Sequence, residues 1–436
     1  MNKIISITGP SGVGKSTISK IISICLGYEN CCILSGDDSH LWERGDENWK
    51  FFTHLNPKAN NLQQEYEHLR DLKNNKAVRR KEYNHKNGKF TKEREFFPNK
   101  FIVYEGLHAM YGKSSELVDI SFYIEVEKSL KNEWKISRDS KKRGYTIDEI
   151  VKSIENRKPD ETKYILPQKN KCDVIIKFKR SKCGKVSISF DYRDAELAEL
   201  INKIKSLYQL IEDFVFVSHK VSQNPYLTQN KGGNMSFKFG ESIAITESGS
   251  SFSEINYFQG FGFYKLSQES VFEGQRNPSM EIGCHLKLGT CVLHTHPLHV
   301  MAILCSEECD SILNELFDDY SVVEYYSPGK SISKNIKNHR NLFLKNHGIF
   351  ISRGSLVECY RDTLEIESKC KEYLESKIKE KKFLFPDAYV LEQENKLYHS
   401  YVIDTMKSSG LSPKYLNADD LNVLKNMEEE KYRKNR

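Results

Sequence analysis

The stretch Ile4-Ile5-Ser6-Ile7-Thr8-Gly9-Pro10-Ser11-Gly12-Val13-Gly14-Lys15-Ser16-Thr17 decides the fold of the first half. Ile4–Thr8 reads as an apolar strand, the next residues match GxxxxGK[ST], and Lys15–Leu26 carries helical spacing. In that order the backbone N–H groups of Gly9, Ser11, Gly12 and Gly14 cradle phosphates at a helix N-terminus. Lys15 then reaches the β- and γ-phosphates, Ser16 ligates Mg²⁺, and Thr17 closes the motif. The implied ligand is ATP.

Working outward, strands alternate with helices. Cys31–Ser35 is a strand followed by Asp37 and Asp38, Phe101–Tyr104 a strand ending in Glu105, and Ser121–Val126 a strand followed by a charged helix. Val174–Phe178 and Val186–Phe190 read as a closing hairpin. This pattern predicts an α/β domain of the P-loop NTPase type, with a mostly parallel sheet. A carboxylate at the end of such a strand faces the crevice, which makes Asp37 the candidate general base and Glu105 a candidate for the Mg²⁺ shell. Arg138 and Arg143, with Lys141 and Lys142 between them, are placed to close over a transferring phosphoryl group.

These motifs resemble the phosphoribulokinase/uridine kinase family over about residues 3–178. The likeness rests on the P-loop, Ser35-Gly-Asp37-Asp-Ser-His40-Leu-Trp-Glu-Arg44, Tyr104-Glu105-Gly-Leu-His108, and Arg138-Asp139 followed by Arg143-Gly144-Tyr145-Thr146. His54-Leu-Asn-Pro57-Lys-Ala-Asn60 and Leu166-Pro167-Gln168 echo the phosphoribulokinase branch. The resemblance implies Asp37 as base, His40, Arg44 and His108 on a sugar or sugar phosphate, and Arg138 and Arg143 in a lid. Asp38 and Ser39 depart from the family's pattern, which leaves the acceptor open.

After a boundary near residue 193, the helical period of 194–214 leads into short strands and glycine turns. His294-Thr295-His296 follows an apolar strand, where residues i and i+2 project from one face and can share a metal. His347, in Leu344-Lys-Asn-His347-Gly, follows another and is the best third ligand; three ligands with an open position suit catalytic Zn²⁺. His285, His299 and His339 are read as non-ligands. Glu281 offers a carboxylate for proton transfer, and Asn234, Ser236, Ser248, Gly249 and Ser279 supply small or hydroxyl groups suited to a phosphate nest.

The order Gly233-Asn234-x-Ser236, Thr246-x-Ser248-Gly249, Pro278-Ser279-x-Glu281, His294-x-His296-Pro297, Asn346-His347-Gly348 resembles the class II aldolase/adducin family over about residues 197–400. It implies an α/β domain with a central, mostly antiparallel sheet, zinc on His294, His296 and His347, Glu281 as base, phosphate on the nest residues, and a tetramer. Met280 stands where a second serine is expected. Tyr325 and Tyr326 are candidate proton donors to a leaving aldehyde. Jointly the resemblances imply phosphorylation of a ketose or ketose phosphate, then cleavage of a ketose-1-phosphate to dihydroxyacetone phosphate and an aldehyde. A nucleoside kinase, an epimerase or dehydratase, and a non-catalytic adducin-like module remain alternatives.

The whole chain agrees with this division. Its 436 residues suit two domains, 1–193 and 194–425, with a charged tail at 426–436. No apolar run reaches the roughly 18 residues of a membrane span, and the first residues enter a strand directly, without a signal peptide. The 11 cysteines lack CxxC pairing, which fits reduced thiols in the cytoplasm. A net charge of +6 is mild, so small-molecule sugar substrates are expected as partners, without nucleic acid or membrane.

Overall fold

Ile4, Ile5 and Ile7 lie on a strand whose side chains are buried on both faces, the signature of a central strand in a parallel sheet. The computed structural model describes residues 2–180, 186–228, 231–272 and 275–377, with 403–404, 418–419 and 422. The tail expected from 426 lies outside the described residues. The chain divides into two compact units, Met1–Leu364 and Glu365–Arg436, and both large sheets belong to the first.

In that unit β1 (Lys3–Thr8) leads through the glycine loop into α1 (Lys15–Cys25) and β2 (Cys31–Ser35). Helix α2 (Leu62–Lys73) precedes two short antiparallel ribbons, β3 (Val78–Arg80) with β6 (Arg94–Phe96), and β4 (Tyr83–Asn84) with β5 (Lys89–Phe90). Then come β7 (Phe101–Glu105), β8 (Ile120–Val126), α3 (Lys128–Arg143), α4 (Ile147–Asp160), β9 (Val174–Arg180) and β10 (Val186–Tyr192). The six-stranded order is β10-β9-β8-β1-β7-β2, parallel except for the antiparallel edge strand β10. This is the mixed α/β, P-loop type of sheet expected, and it brings the ends of β1, β2 and β7 to one crevice.

The segment between α3 and α4 follows from its capping residues. Gly144 ends α3 with φ 72, in the left-handed region that favours glycine. Thr146 then starts α4 with a reciprocal capping box to Glu149.

Helix α5 (Ala198–Ser222) buries Ile201, Ile204, Leu207, Ile211, Phe214 and Val217 along one stripe, each contributing about 1.5–3 kcal/mol on leaving water. It packs against both α1 and β11 (Asn234–Phe239). The remaining strands are β12 (Ser242–Thr246), β13 (Phe261–Lys265), β14 (Cys291–Thr295), β15 (Ser321–Val323), β16 (Asn341–Leu344) and β17 (Gly348–Arg353). Helices α6 (Ile282–Lys287), α7 (Leu298–Leu304), α8 (Cys309–Leu316), α9 (Lys330–Asn335) and α10 (Leu356–Ser376) accompany them. The seven-stranded order is β13-β12-β11-β14-β17-β16-β15, antiparallel except between β15 and β16. β14 is central, and because β11 and β17 both run against it, their first residues meet its last. The register pairs Asn234 with His294 and His294 with Phe350.

Candidate active sites

The first site is a cavity of 1860 Å³ lined by the P-loop, Asp37, His40, Arg44, Glu105 and Arg138, among others. Gly12 and Gly14 have φ near +87, and a Cβ on Gly12 would stand 3.2 Å from the Cβ of Lys135 on α3, so this close approach of loop and helix requires glycine. Lys15 donates from Nζ to the Gly9 and Pro10 carbonyls at 3.1 and 3.0 Å. Burial lowers its pKa, against the pull of Glu105 and Asp37. Ser16 donates to Glu105 Oε1 at 2.9 Å, so both candidate Mg²⁺ groups stand together.

The two adjacent aspartates have different surroundings. Asp38 is buried against Arg80, which also holds Glu65 in a bidentate pair and the Ser35 carbonyl, and it accepts from Tyr83 N at 2.7 Å. Burial pushes Asp38 up to about 7, against the pull of Arg80. Asp37 lies on the cavity wall, 3.2 Å from His85 Nε2 and 3.7 Å from His40 Nε2. Burial would raise it, but the hydrogen bond from His85 and the charges of His40, His85 and Lys15 hold it below the ordinary carboxylate range. His40 is anchored through Nδ1 on Asn60 Oδ1 at 2.8 Å, which ties it to the end of the His54–Asn60 segment.

The second site forms where β11, β14 and β17 meet. One nitrogen from each of His294, His296 and His347 lies within 4.8 Å of the others. His294 Nδ1–H donates to the Ile349 carbonyl at 2.8 Å, which leaves Nε2 as a lone-pair donor. His347 Nδ1 is buried without a hydrogen-bond partner, while Glu281 Oε1, buried as well, faces His347 Nε2 at 3.0 Å. Burial lowers His294 and takes His296 down to about 3, which disfavours the imidazolium form of both. Three converging imidazole nitrogens beside a buried carboxylate, with His347 Nδ1 left unpaired, fit a divalent metal. Gly348 (φ 156) permits the approach, since a Cβ there would meet the Thr295 carbonyl at 2.5 Å and His296 Cδ2 at 2.6 Å.

Glu281 stands 3.4 Å from His294 Nε2 and 3.0 Å from His347 Nε2, and accepts from Asn234 Nδ2 at 2.7 Å. Burial opposes ionisation, but His294, His347 and Asn234 outweigh it and hold the carboxylate below its ordinary range. Behind Asn234 lies His285. Its Nε2–H donates to Asn234 Oδ1 at 2.5 Å and its Nδ1 accepts from Ser236 Oγ at 2.7 Å. Burial lowers His285 to about 3, consistent with one proton serving this chain.

Residues 4–187 match the model of the Phosphoribulokinase / Uridine kinase family, and residues 214–374 that of the Class II Aldolase and Adducin N-terminal domain. The chain is 38% identical to a phosphoribulokinase of Synechocystis sp., over 40% of this chain and 52% of that protein. It is 30% identical to a uridine kinase of Borrelia turicatae, over 40% of this chain and 86% of that one. The chain belongs to the phosphoribulokinase/uridine kinase family. It spans about half the length of the phosphoribulokinases it matches. Among solved structures, the N-terminal class II aldolase domain of a conserved protein from Thermoplasma acidophilum aligns with 38% of this chain and 93% of its own, at 20% identity and a TM-score of 0.35. A phosphoribulokinase/uridine kinase-family segment is thus joined to a class II aldolase-like one.

Within the family segment, the P-loop, Asp37, His40, Arg44, Glu105 and Arg138 share one cavity. Arg44 is engaged at 2.7 Å by the His85 carbonyl. The structure does not bring His108 to the cavity wall: its Nε2 is on the Leu55 carbonyl at 3.0 Å, and burial lowers it to about 4. The side chain of Arg143 lies outside the described residues. In the aldolase-like segment Ser248 and Gly249 are exposed beside Ser279, linked by Ser248 N to the Asn277 carbonyl and Ser279 N to that of Thr246. Ser236 is fully buried on His285, apart from them. Tyr325 is exposed, and Tyr326 packs on the core beside β16 and β17. His299 and His339 stand outside the histidine cluster.

Sequence reading missed His85, on the tight ribbon turn between β4 and β5, because a lone histidine in a Lys-Asn-Gly turn gives no signal of the aspartate it meets. It also missed the role of His285, whose i+4 spacing from Glu281 on α6 was the available clue.

Proposed function

We propose that the protein is a two-reaction enzyme of sugar metabolism, divided near residue 193 into a kinase (1–193) and a lyase (194–425). The kinase uses ATP and Mg²⁺ to phosphorylate a hydroxyl of a ketose or ketose phosphate. Asp37 takes the hydroxyl proton, the new O–P bond forms as the bond to ADP breaks, and Lys15, Arg138 and Arg143 offset charge on the moving phosphoryl group. Ser16 and Glu105 hold Mg²⁺, and His40 and Arg44 orient the acceptor.

In the lyase His294, His296 and His347 would hold Zn²⁺, the ion suited to three imidazoles with an open position. When bound, the metal supplies Lewis-acid stabilisation of negative charge on the substrate oxygens. As the C3–C4 bond of a ketose-1-phosphate breaks, the C4 hydroxyl loses its proton to become an aldehyde, and Glu281, fixed by Asn234, delivers a proton to C3 to give dihydroxyacetone phosphate. Ser248, Gly249 and Ser279 receive the phosphate. No helix among the described residues is long and apolar enough to cross a membrane, and the described cysteines are free thiols, which supports a cytoplasmic enzyme.

The observation that carries this reading is the convergence of three histidines and Glu281 in a chain that also places Asp37 in a P-loop cavity. The test is metal analysis of the wild type and His294→Ala, with an ATP-dependent screen of pentuloses, hexuloses and their phosphates read by ADP and by triose phosphate. Zinc near one per chain in the wild type only, with triose phosphate released only after ATP is added, is expected. ADP formation without zinc or triose phosphate would leave the kinase and remove the lyase.

A further inference from the structure

The catalytic groups account for only part of the P-loop cavity's wall; another part is aromatic. Trp134 of α3 meets Phe178 of β9 edge-on at 5.5 Å between centroids, Phe178 meets Tyr208 of α5 at 5.6 Å, and Tyr208 lies 6.4 Å from Tyr257. Trp134 and Phe178 belong to the kinase-family segment, Tyr257 to the aldolase-like one. Phe178 and Tyr208 are buried, whereas Trp134 and Tyr257 are half-buried and line the cavity together with the P-loop. The loop is close by: Gly12 abuts Lys135, the neighbour of Trp134.

The turn carrying Tyr257 is strained and anchored. Asn256 and Gln259 exchange backbone hydrogen bonds at 3.0 Å, and Phe258 between them has φ 52, costly for a bulky residue. The Phe258 ring faces the Lys20 ammonium of α1, the helix that the P-loop starts, at 5.1 Å, and it packs on Phe261 and Phe263. These contacts fix the aldolase-like turn against the P-loop helix. Gln259 extends an exposed side chain at the same cavity.

We propose that this wall is the base subsite of the nucleotide, so that the aldolase-like segment completes the kinase. A purine stacks on Tyr257, at the end of this aromatic row and beside Gln259, since aromatic faces bind bases well and without regard to their edges. The Gln259 carboxamide supplies the paired donor and acceptor that complement the N7 and exocyclic amine of adenine. The proposal rests on the reading of the P-loop as an ATP site and adds to it the part of the ligand that the P-loop does not touch.

The test compares ATP with inorganic tripolyphosphate, which engages only the phosphate cradle, by calorimetry on the whole 436-residue chain. Tyr257→Ala is expected to weaken ATP about tenfold or more and tripolyphosphate by less than about twofold, with Tyr257→Phe restoring ATP. Gln259→Leu is expected to narrow the preference for ATP over CTP without altering tripolyphosphate binding. Retained tripolyphosphate binding also shows that each variant is folded. Equal losses for both ligands, or none for either, would overturn the base subsite. A wild type that binds neither ligand would instead remove the ATP reading, and the base subsite with it.

Discussion

Asp37 and Glu281 are both carboxylates drawn below their ordinary range by neighbouring histidines, yet they are held very differently. Asp37 stands on the short turn after β2, and its closest partner, His85, is 47% exposed on a two-residue ribbon. Glu281 sits among side chains that are 9% exposed or less, with His294 and His347 in front and the Asn234–His285–Ser236 chain behind. The first site is assembled by loops that must admit and release a large nucleotide. The second is fixed by strand register, since Asn234 and His294 are paired residues of one sheet. The first site is thus the more exposed of the two, while strand register gives the three histidines of the second a fixed spacing.

The sharpest way to break this comparison is to neutralise each aspartate of the Asp37–Asp38 pair in turn. Asp37→Asn is expected to lower phosphoryl-transfer turnover by about 10²–10⁴-fold with little change in the KM for ATP or in the melting temperature. Asp38→Asn should act through stability, because it weakens a buried contact of Arg80. Steady-state kinetics beside thermal melting checks both. Equal kinetic losses without destabilisation would mean that the wrong aspartate has been assigned as base.

A smaller effect is expected in the second site, where the chain behind Glu281 can be cut without touching a ligand. Asn234→Ala should weaken Zn²⁺ binding by about 10–100-fold, read by competition with a chelator, while ATP binding stays unchanged. Retention of wild-type zinc affinity would show that the buried chain supports the sheet and not the metal.

How much of this could be read in the sequence follows the same division. Apolar runs placed β1, β2, β7 and β8 to within a residue of their ends, because short apolar runs bounded by turn residues have few other readings. The His294–His296 pair and His347 were legible because strand-end geometry converts i, i+2 spacing into a shared face. The ribbons spanning Val78–Phe96 were not, since their two- and three-residue strands carry no periodicity, and His85 was lost with them. Nor does spacing reveal that Asp38 turns inward to Arg80 while Asp37 turns outward; that depends on Arg80, 42 residues away. The expected helix at 194–214 begins at Ala198 and runs to Ser222, because Val217 and Val221 extend the buried stripe past the point where the acidic start drew attention.

The smallest effect concerns Lys135, which contrasts with the many lysines that lie on open surface. It is buried on α3 against Gly12, and burial together with Arg157 and Arg138 lowers its pKa to about 7, against the pull of Asp139 and Glu161. An unfolded lysine titrates near 10.4, so between about 7 and that value the unfolded chain binds more protons and stability rises with pH. Below about 7 the penalty is fully present. Lys135→Met should therefore melt roughly 3–8 °C above the wild type at pH 7, and the gap should narrow when the melts are repeated at pH 9. A gap independent of pH would mean that methionine gains by packing alone. A narrowing gap would show that the fold tolerates a costly cation beside the phosphate loop, a cost that an incoming triphosphate would offset by favouring its charged form.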